Sequence, residues 1–186
     1  MRQGAINRAC NAEQNREQWL DLRRTHLGAS EVGAILGVNP YIEPAEVIDR
    51  KRTGYQIPDN RAMAIGRALE PKLLDAYRAI YKPVYGAGSC WTCNGLIVTF
   101  DGVTDDGPIE IKTAAMRQRD RWMEHGVPPW YRLQVQAQCY IADVPRGELL
   151  VAFHEKGVPQ SMHLFEVKAD DAAIDRAIEI FKSHEL

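Results

Sequence analysis

The sequence predicts an α/β fold, with a mixed central sheet flanked by helices, in a single domain spanning residues 1–186. The length is close to the ~150 residues of a typical domain, and 45% hydrophobic with 26% charged residues is typical of a soluble globular protein. Residues 13–24 and 60–80 carry the period of amphipathic helices, whereas residues 83–100 are rich in glycine, β-branched and aromatic residues and residues 109–112 alternate like a strand.

Helices are expected throughout the first third of the chain. Residues 13–24 form a short amphipathic segment, and Ser30 is a candidate N-cap for a helix that carries the apolar residues 32–36. Gly37 is the natural stop of that helix. Pro44 is tolerated in the first turn of the next one, because the nitrogen of a first-turn residue has no helical partner.

Residues 60–80 also have a helical period, but this segment contains a proline. Pro71 lacks the N–H that a helix interior requires and its ring clashes with the preceding turn. The sequence therefore predicts a break or a new helix near this point, with Glu70 at a kink or near a helix start.

Strands are expected in the middle of the chain. Residues 83–100 read as strands with turns, and residues 109–112 alternate apolar with charged side chains. Residues 101–107 contain the aspartates and glycines of a hairpin connection between them.

The last third alternates helices and strands. Pro128 and Pro129 separate two of the predicted helices, and Asp170 or Asp171 caps the last one. The predicted elements are helices over residues 114–125, 130–141 and 170–183, and strands over residues 148–153 and 163–167.

Charge and cysteine content restrict the functional classes. A net charge of −2 argues against a protein that coats nucleic acid indiscriminately. No apolar run is as long as a membrane-spanning helix, and the first residues lack the apolar stretch of a signal peptide, so no contact with a membrane is expected. Four cysteines are too few for a disulfide framework, so we expect the protein to reside in the reducing cytoplasm. Residues 112–132 are locally basic and residues 166–186 locally acidic, either as solvated helix faces or as a binding surface and its opposite face.

The pattern around residues 101–112 carries the most chemical information. If the connection is a hairpin, Asp101 ends one strand while Glu110 and Lys112 lie on one face of the next. Two adjacent carboxylates repel each other, and a hard divalent cation such as Mg²⁺ relieves that repulsion. A neighbouring lysine can orient water or stabilise developing phosphoryl charge. The plainer alternative is a strand with one solvated, charged face.

With these residues in place, the chain resembles a known family. Asp101 followed by residues 110–112 (Glu-Ile-Lys) resembles the PD-(D/E)xK nuclease motif. The flanking segments are similar to the lambda exonuclease branch, also called the YqaJ-like phage recombination exonucleases. These segments are residues 19–23 (Trp-Leu-Asp-Leu-Arg), 28–32 (Gly-Ala-Ser-Glu-Val), 66–70 (Gly-Arg-Ala-Leu-Glu) and 131–136 (Tyr-Arg-Leu-Gln-Val-Gln). Residues 136–140 also fit the QxxxY helix of RecB-type nucleases.

The resemblance implies a catalytic metal site. Asp101, Glu110 and the backbone carbonyl of Ile111 would ligate Mg²⁺, for which Mn²⁺ could substitute. Lys112 would position the attacking water, and Glu70 would bind or tune the metal.

The resemblance also implies a site for the 5′-phosphate of the substrate. Arg23 and Ser30 match the family's phosphate-binding positions, Gln134 contributes from a later helix, and Tyr131 lines the site. Thr99 stands where the family often has serine and could still bind phosphate. Without the family, Ser30 is a helix cap and Arg23 a surface residue.

The implied activity is 5′→3′ digestion of linear double-stranded DNA by a Mg²⁺-dependent exonuclease of restriction-endonuclease-like fold. The resemblance further implies a ring-shaped homotrimer around DNA and a single-strand annealing protein of the same phage system as partner. The alternatives are an endonuclease or nickase of the same fold, or a catalytically idle DNA-binding recombination scaffold. One departure from the family is Phe100, where proline is usual.

Cys90 and Cys93 form a CxxC pair, which zinc sites often contain. A zinc site needs four ligands, and the sequence offers no second CxxC or suitably spaced histidine pair. The pair is therefore interpreted as reduced cysteines in a strand or turn.

Overall fold

The computed structural model describes residues 5–12 and 14–184 of the chain. Residue 13, where the first helix was expected to begin, and residues 185–186 of the acidic C-terminal segment lie outside the described residues. The strands are β1 (Asn7–Asn11), β2 (Leu27–Gly28), β3 (Ser89–Cys93), β4 (Leu96–Thr99), β5 (Gly102–Thr104), β6 (Gly107–Ala115), β7 (Arg146–Glu155) and β8 (Val158–Lys168). The α-helices are α1 (Arg16–Thr25), α2 (Val32–Ile35), α3 (Pro44–Thr53), α4 (Arg61–Ile80), α5 (Arg119–His125), α6 (Pro129–Ala142) and α7 (Asp171–Lys182).

The strands form two mixed four-stranded sheets with the orders β1-β3-β4-β2 and β5-β6-β7-β8. In the second sheet β6 runs antiparallel to β5 and parallel to β7. The α/β class with mixed pairing and flanking helices is thus confirmed, and the expected hairpin is also present. Its turn is shorter than predicted, because residues 102–104 pair with β6 and only Asp105 and Asp106 connect the two strands.

The β5-β6-β7-β8 sheet is covered on both faces, which fixes the direction of the side chains on β6. Ile109 and Ile111 pack with the apolar face of α4, including Leu73 and Tyr77. Helix α6 packs on the opposite face of this sheet. Because side chains alternate along a strand, Glu110 points away from α4 and toward α6.

Helix α4 is continuous across Pro71, contrary to the predicted break, so Glu70 lies in the middle of a 20-residue helix. A proline inside a helix costs roughly 3 kcal/mol. Burying Leu69 and Leu73 on either side of the proline contributes a free energy of similar size, roughly 2 kcal/mol per side chain. Asn60 caps this helix by accepting a 3.0 Å hydrogen bond from the Met63 backbone N–H.

Two further sequence predictions are wrong in detail. Ser30 is not the N-cap of a helix, because residues 29–31 form a 3₁₀ turn and α2 covers only Val32–Ile35. The helix expected over residues 114–125 begins only at Arg119, since residues 109–115 of β6 pair with β7 and residues 116–118 form a 3₁₀ turn.

The first third of the chain is not helical throughout, because the short strands β1 and β2 lie within it and belong to the first sheet. Strand structure in the middle of the chain begins only at Ser89, later than the predicted residue 83. Asp170 caps α7 by accepting a 3.1 Å hydrogen bond from the Ala173 N–H. Among the described residues, no helix is long and apolar enough to span a membrane.

Candidate active site

Asp101 and Glu110 face each other across the start of the β5-β6 hairpin. Gly102 pairs with Ile109, which places the preceding residue, Asp101, opposite Glu110. One oxygen of Asp101, Oδ2, accepts a 2.8 Å hydrogen bond from the backbone N–H of Ile111. Burial, together with the negative charges of Glu110 and Glu70, raises the pKa of the Asp101 carboxyl well above its ordinary value. The two strands therefore hold carboxylates at a separation where they repel each other.

The Glu110 carboxylate is almost completely buried and is held by three donors. Lys112 and Gln134 both donate to Oε1, the amide of Gln134 over 2.6 Å. Gln138, one helical turn after Gln134 on α6, donates to Oε2. Buried carboxylates are tolerated where charges and hydrogen bonds compensate their lost hydration. This cluster fixes the orientation of both Glu110 oxygens.

Lys112 lies two residues after Glu110 on the same face of β6. Burial alone would lower the pKa of its ammonium group, but the charges of Glu110 and Asp101 outweigh burial and raise this pKa above its ordinary value. Its Nζ also lies 5.3 Å from the centre of the Tyr131 ring. The two carboxylates of the site therefore favour the protonated form of Lys112.

A second polar group surrounds Arg23 on α1. The Arg23 guanidinium donates a 2.8 Å hydrogen bond to Glu31 and lies 5.1 Å from the centre of the Trp19 ring. The indole N–H of Trp19 donates a 2.9 Å hydrogen bond to Thr99, at the end of β4. Glu31 also accepts a 2.7 Å hydrogen bond from the backbone N–H of Gly28.

Lys51 on α3 completes this second group. Its ammonium lies 2.6 Å from Glu31 and donates to the carbonyl of Arg23. Burial opposes ionisation of Glu31, but the positive charges of Arg23 and Lys51 outweigh burial and hold its pKa below the ordinary value. The Glu31 carboxylate thus pairs with two cations, Arg23 and Lys51, and its hydrogen bond holds the Arg23 guanidinium in place.

Members of both groups line one cavity of about 200 Å³, whereas Glu31, Lys51 and Gln138 lie outside its wall. Of the site residues predicted from the sequence, only Tyr131 does not line it, and Tyr131 contacts Lys112 instead. The predicted residues in the cavity wall are Arg23, Ser30, Glu70, Thr99, Asp101, Glu110, Ile111, Lys112 and Gln134. Residues distant in sequence, on α1, α4, α6 and the second sheet, are therefore brought together as expected.

The oxygen donors in this cavity suit a hard divalent cation. Asp101 and Glu110 supply two adjacent carboxylates, and their mutual repulsion is what such a cation relieves. The described residues contain no cluster of three or more histidine, cysteine or acidic side chains arranged around a metal position. Any cation held here would need further oxygen ligands, such as the Ile111 carbonyl or water.

Gln138, Glu31 and Lys51 contribute to the site, although no role was predicted for them from the sequence. The sequence spacing could have indicated a role for Gln138, since it follows Gln134 by four residues and therefore lies on the same helix face. The QxxxY residues point elsewhere: Gln136 donates to the carbonyl of Lys168, and Tyr140 donates to Asp175 on α7.

The cysteines of the CxxC pair lie in β3, and both are free and buried. Cys90 stands opposite Cys10 of β1, and Cys93 opposite Leu96 of β4. Of the two predicted locations, a strand or a turn, the structure thus shows the strand.

Residues 18–145 match the YqaJ-like viral recombinase domain, which is more than half of the chain. The chain belongs to this family. The match confirms the resemblance found in the sequence, and it covers every residue of the candidate active site. A comparison with curated protein sequences gives no match.

Solved structures similar to this YqaJ-like domain confirm its fold. An alkaline exonuclease from Laribacter hongkongensis, LHK-Exo, is 24% identical and covers 90% of both chains with a TM-score of 0.70. The structure of LHK-Exo in complex with dAMP gives a TM-score of 0.71 over the same share of both chains. A phage-related exonuclease from Haemophilus somnus 129PT is 11% identical and covers 86% of this chain and 92% of its own, with a TM-score of 0.63.

Proposed function

We propose that this YqaJ-like domain is a metal-dependent 5′→3′ exodeoxyribonuclease that digests linear double-stranded DNA from 5′-phosphorylated ends. One observation carries the proposal: Asp101, Glu110 and Lys112 share a single cavity with Arg23, Ser30 and Thr99. The cavity thus combines a carboxylate pair suited to a divalent cation with donors suited to a phosphate.

Asp101, Glu110 and the carbonyl of Ile111 would hold Mg²⁺, or Mn²⁺ in its place. When bound, such a cation acidifies water and neutralises charge on a phosphodiester. Lys112 orients the attacking water and stabilises the negative charge that develops on the phosphate. Gln134 keeps the Glu110 carboxylate aligned toward the cavity. Glu70 adds negative charge beside Asp101, which increases the demand for a cation.

Arg23 supplies the recognition of the 5′ end. A guanidinium has five N–H donors, and Glu31 engages one nitrogen of Arg23, so donors remain for a terminal phosphate. Ser30 and Thr99 add hydroxyl groups at the same cavity wall. Because α2 has only four residues, Ser30 contributes its hydroxyl and not the dipole of a long helix.

The proposal extends to assembly and partners. A viral recombinase family suits an enzyme that leaves 3′ single strands for a single-strand annealing protein. We propose a homotrimeric ring around DNA in the cytoplasm of the host cell, with the exposed Arg117, Arg121 and Arg132 toward the duplex. Light scattering coupled to size-exclusion chromatography tests the trimer, and a stable active monomer contradicts it.

End-labelled substrates test the activity and its polarity. A linear duplex with 5′-phosphates is incubated with Mg²⁺, with the label on the 5′ or the 3′ end of one strand, beside nicked and closed circular DNA. We expect immediate release of the 5′ label as mononucleotide, late release of the 3′ label, and intact circles. Cutting of the circles would favour the endonuclease alternative, and no cutting of any substrate would favour the idle scaffold.

A further inference from the structure

A second and larger cavity lies directly beside the candidate active site. It has a volume of about 410 Å³ and is enclosed by α1, the C-terminal end of α3, residues 54–59 and the first turns of α4. Trp19 and Arg23 belong to the walls of both cavities. A chain bound with a phosphate at Arg23 could therefore extend from one cavity into the other.

The larger cavity has an excess of positive charge. Six of its lining residues are basic and two are acidic. Arg67 pairs with Asp59, and Arg23 and Lys51 share Glu31. Arg50 pairs with Glu46 outside the cavity wall.

Two exposed arginines of α1 remain available in this cavity. Arg16 and Arg24 have no carboxylate partner in the part of the chain that the structure describes. The Arg16 guanidinium lies 5.7 Å from the centre of the Trp19 ring, and Arg24 lies beside Gly54. Arg16, Trp19 and Arg23 are spaced by three and four residues, so they lie along one face of the helix. Arg16 and Arg23 therefore flank the same ring, and only Arg23 reaches the active-site cavity.

Aromatic and apolar side chains complete the wall. Tyr55 is 57% exposed and Ile57 is 45% exposed, although both line the cavity. Exposed aromatic groups beside arginines are the features with which proteins bind single-stranded nucleic acid, since bases stack on the rings and phosphates pair with the guanidinium groups. A metabolite with one charge would leave most of these groups unused.

We propose that this second cavity, which we call the tail cavity, binds nucleotides of a single-stranded 5′ tail that extends beyond the phosphate held by Arg23. This inference rests on the proposed function and specifies its substrate class: ends with a short 5′ overhang as well as blunt ends. Arg16 and Arg24 bind the phosphates of the tail, and Tyr55 stacks on a base. The first cut on a tailed end would then release an oligonucleotide: water attacks the phosphorus beside Asp101 and Glu110, the bond from that phosphorus to the 3′-oxygen of the tail breaks, and the tail leaves with a 3′-hydroxyl while the duplex keeps a 5′-phosphate.

The tail cavity is tested with two duplexes that differ only at one end, blunt or with a two-nucleotide 5′ overhang, both 5′-phosphorylated. Binding is measured by fluorescence anisotropy in EDTA, which removes divalent cations and so prevents cleavage during the measurement. We expect wild-type protein to bind the tailed duplex about tenfold more tightly than the blunt one, because Arg16 and Arg24 hold the tail phosphates and thereby position one base on Tyr55. The double variant Arg16→Gln, Arg24→Gln should reduce this advantage to less than about twofold. Arg78→Gln, an exposed arginine near the far end of α4, is the matched control and should keep the advantage.

A second part of the experiment distinguishes binding of a 5′ tail from binding of a free product nucleotide, because both ligands present a phosphate and a base. Deoxyadenosine monophosphate is titrated against wild type and the double variant, and the first products in Mg²⁺ are sized on a denaturing gel. A tail advantage with an oligonucleotide as first product supports the inference. Arginine-dependent binding of the free nucleotide without a tail advantage, or an advantage that survives in the double variant, overturns it.

The outcomes also distinguish this inference from the proposed function. Digestion of the blunt duplex without a tail advantage overturns the tail cavity and leaves the exonuclease standing. A tail advantage that depends on the arginines, without digestion of either duplex, overturns the exonuclease and retains a nucleotide-binding cavity.

Discussion

The backbone N–H of Ile111 donates a 2.8 Å hydrogen bond to Oδ2 of Asp101. This bond ties the residue before β5 to the centre of β6, and it fixes one oxygen of Asp101 while the other stays available. Because Ile111 follows Glu110, the same bond sets the distance between the two carboxylates. The backbone of the hairpin thus determines the geometry of the proposed metal site.

The first prediction concerns Lys112. Replacing it with alanine should slow the chemical step by roughly two to three orders of magnitude, the loss typical for one preorganised donor to a developing charge. DNA binding should weaken much less, because the arginines of both cavities are unchanged. Single-turnover cleavage rates and anisotropy in EDTA measure the two effects separately. A loss of binding as large as the loss of rate would make Lys112 a binding residue.

The second prediction concerns Gln138, which donates to Oε2 of Glu110 from α6. Gln138→Leu should reduce Mg²⁺ affinity or turnover by about 10- to 100-fold, as for other residues that orient a metal ligand. The measurement is the cleavage rate as a function of Mg²⁺ concentration, with isothermal titration calorimetry of Mg²⁺ binding as the second readout.

Gln136→Leu is the control for this prediction. Gln136 is also buried on α6, but it donates to the carbonyl of Lys168. The Gln136→Leu variant should have a lower melting temperature than wild type, but its cleavage rate should depend on Mg²⁺ concentration as in wild type. Equal Mg²⁺ dependence in both variants would show that Gln138 acts only on stability.

The third prediction concerns the recognition of the 5′ end. Arg23→Ala should remove about 2–3 kcal/mol of preference for a 5′-phosphate, the range for hydrogen bonds to charged groups, or about 30- to 150-fold in rate. Initial rates on 5′-phosphorylated and 5′-hydroxyl duplexes give the ratio for wild type and variant. If wild type does not distinguish the two ends, Arg23 and Ser30 have no role in end recognition.

The fourth prediction concerns stability and pH at Glu31. Its pKa is lowered in the folded state, so its ionised form stabilises the fold above the ordinary carboxyl pKa, and this contribution is lost as the pH falls through the lowered value. Glu31→Gln leaves the nearly buried Lys51 without its partner and should cost about 3–5 kcal/mol at pH 7. The difference from wild type should shrink below about pH 4. Thermal denaturation from pH 3 to 7 tests this, and a difference independent of pH would contradict it.

Much of the site could be predicted from local patterns. The alternation around Glu110 and Lys112 shows that both side chains share one face, and the hairpin signal after Asp101 brings the first carboxylate opposite them. The helix spacing of Gln134 and Gln138 also shows a common direction. These relationships depend on residues within one or two neighbouring elements, where the periods of strand and helix determine geometry.

Other features depend on packing between distant elements. The low helix propensity of Pro71 predicts a break in α4. Burial of the apolar face of α4 against β6 stabilises the continuous helix by more than the proline costs. Lys51 reaches Glu31 from another helix, and no local pattern indicates that contact. The extension of β6 to Ala115 is fixed by its parallel pairing with β7, which only the tertiary fold provides.

Asp101→Asn tests most directly whether Asp101 and Glu110 hold the cation of a nuclease, and Glu110→Ala is a second variant. Asparagine can still accept the hydrogen bond from Ile111 but removes the charge, and relief of the repulsion with Glu110 should keep the melting temperature in EDTA equal to or above that of wild type. The measurement is the release of nucleotides from a linear 5′-phosphorylated duplex in Mg²⁺. We expect Mg²⁺-dependent release by wild type and none by the folded variant. Near-normal release by Asp101→Asn would contradict this expectation.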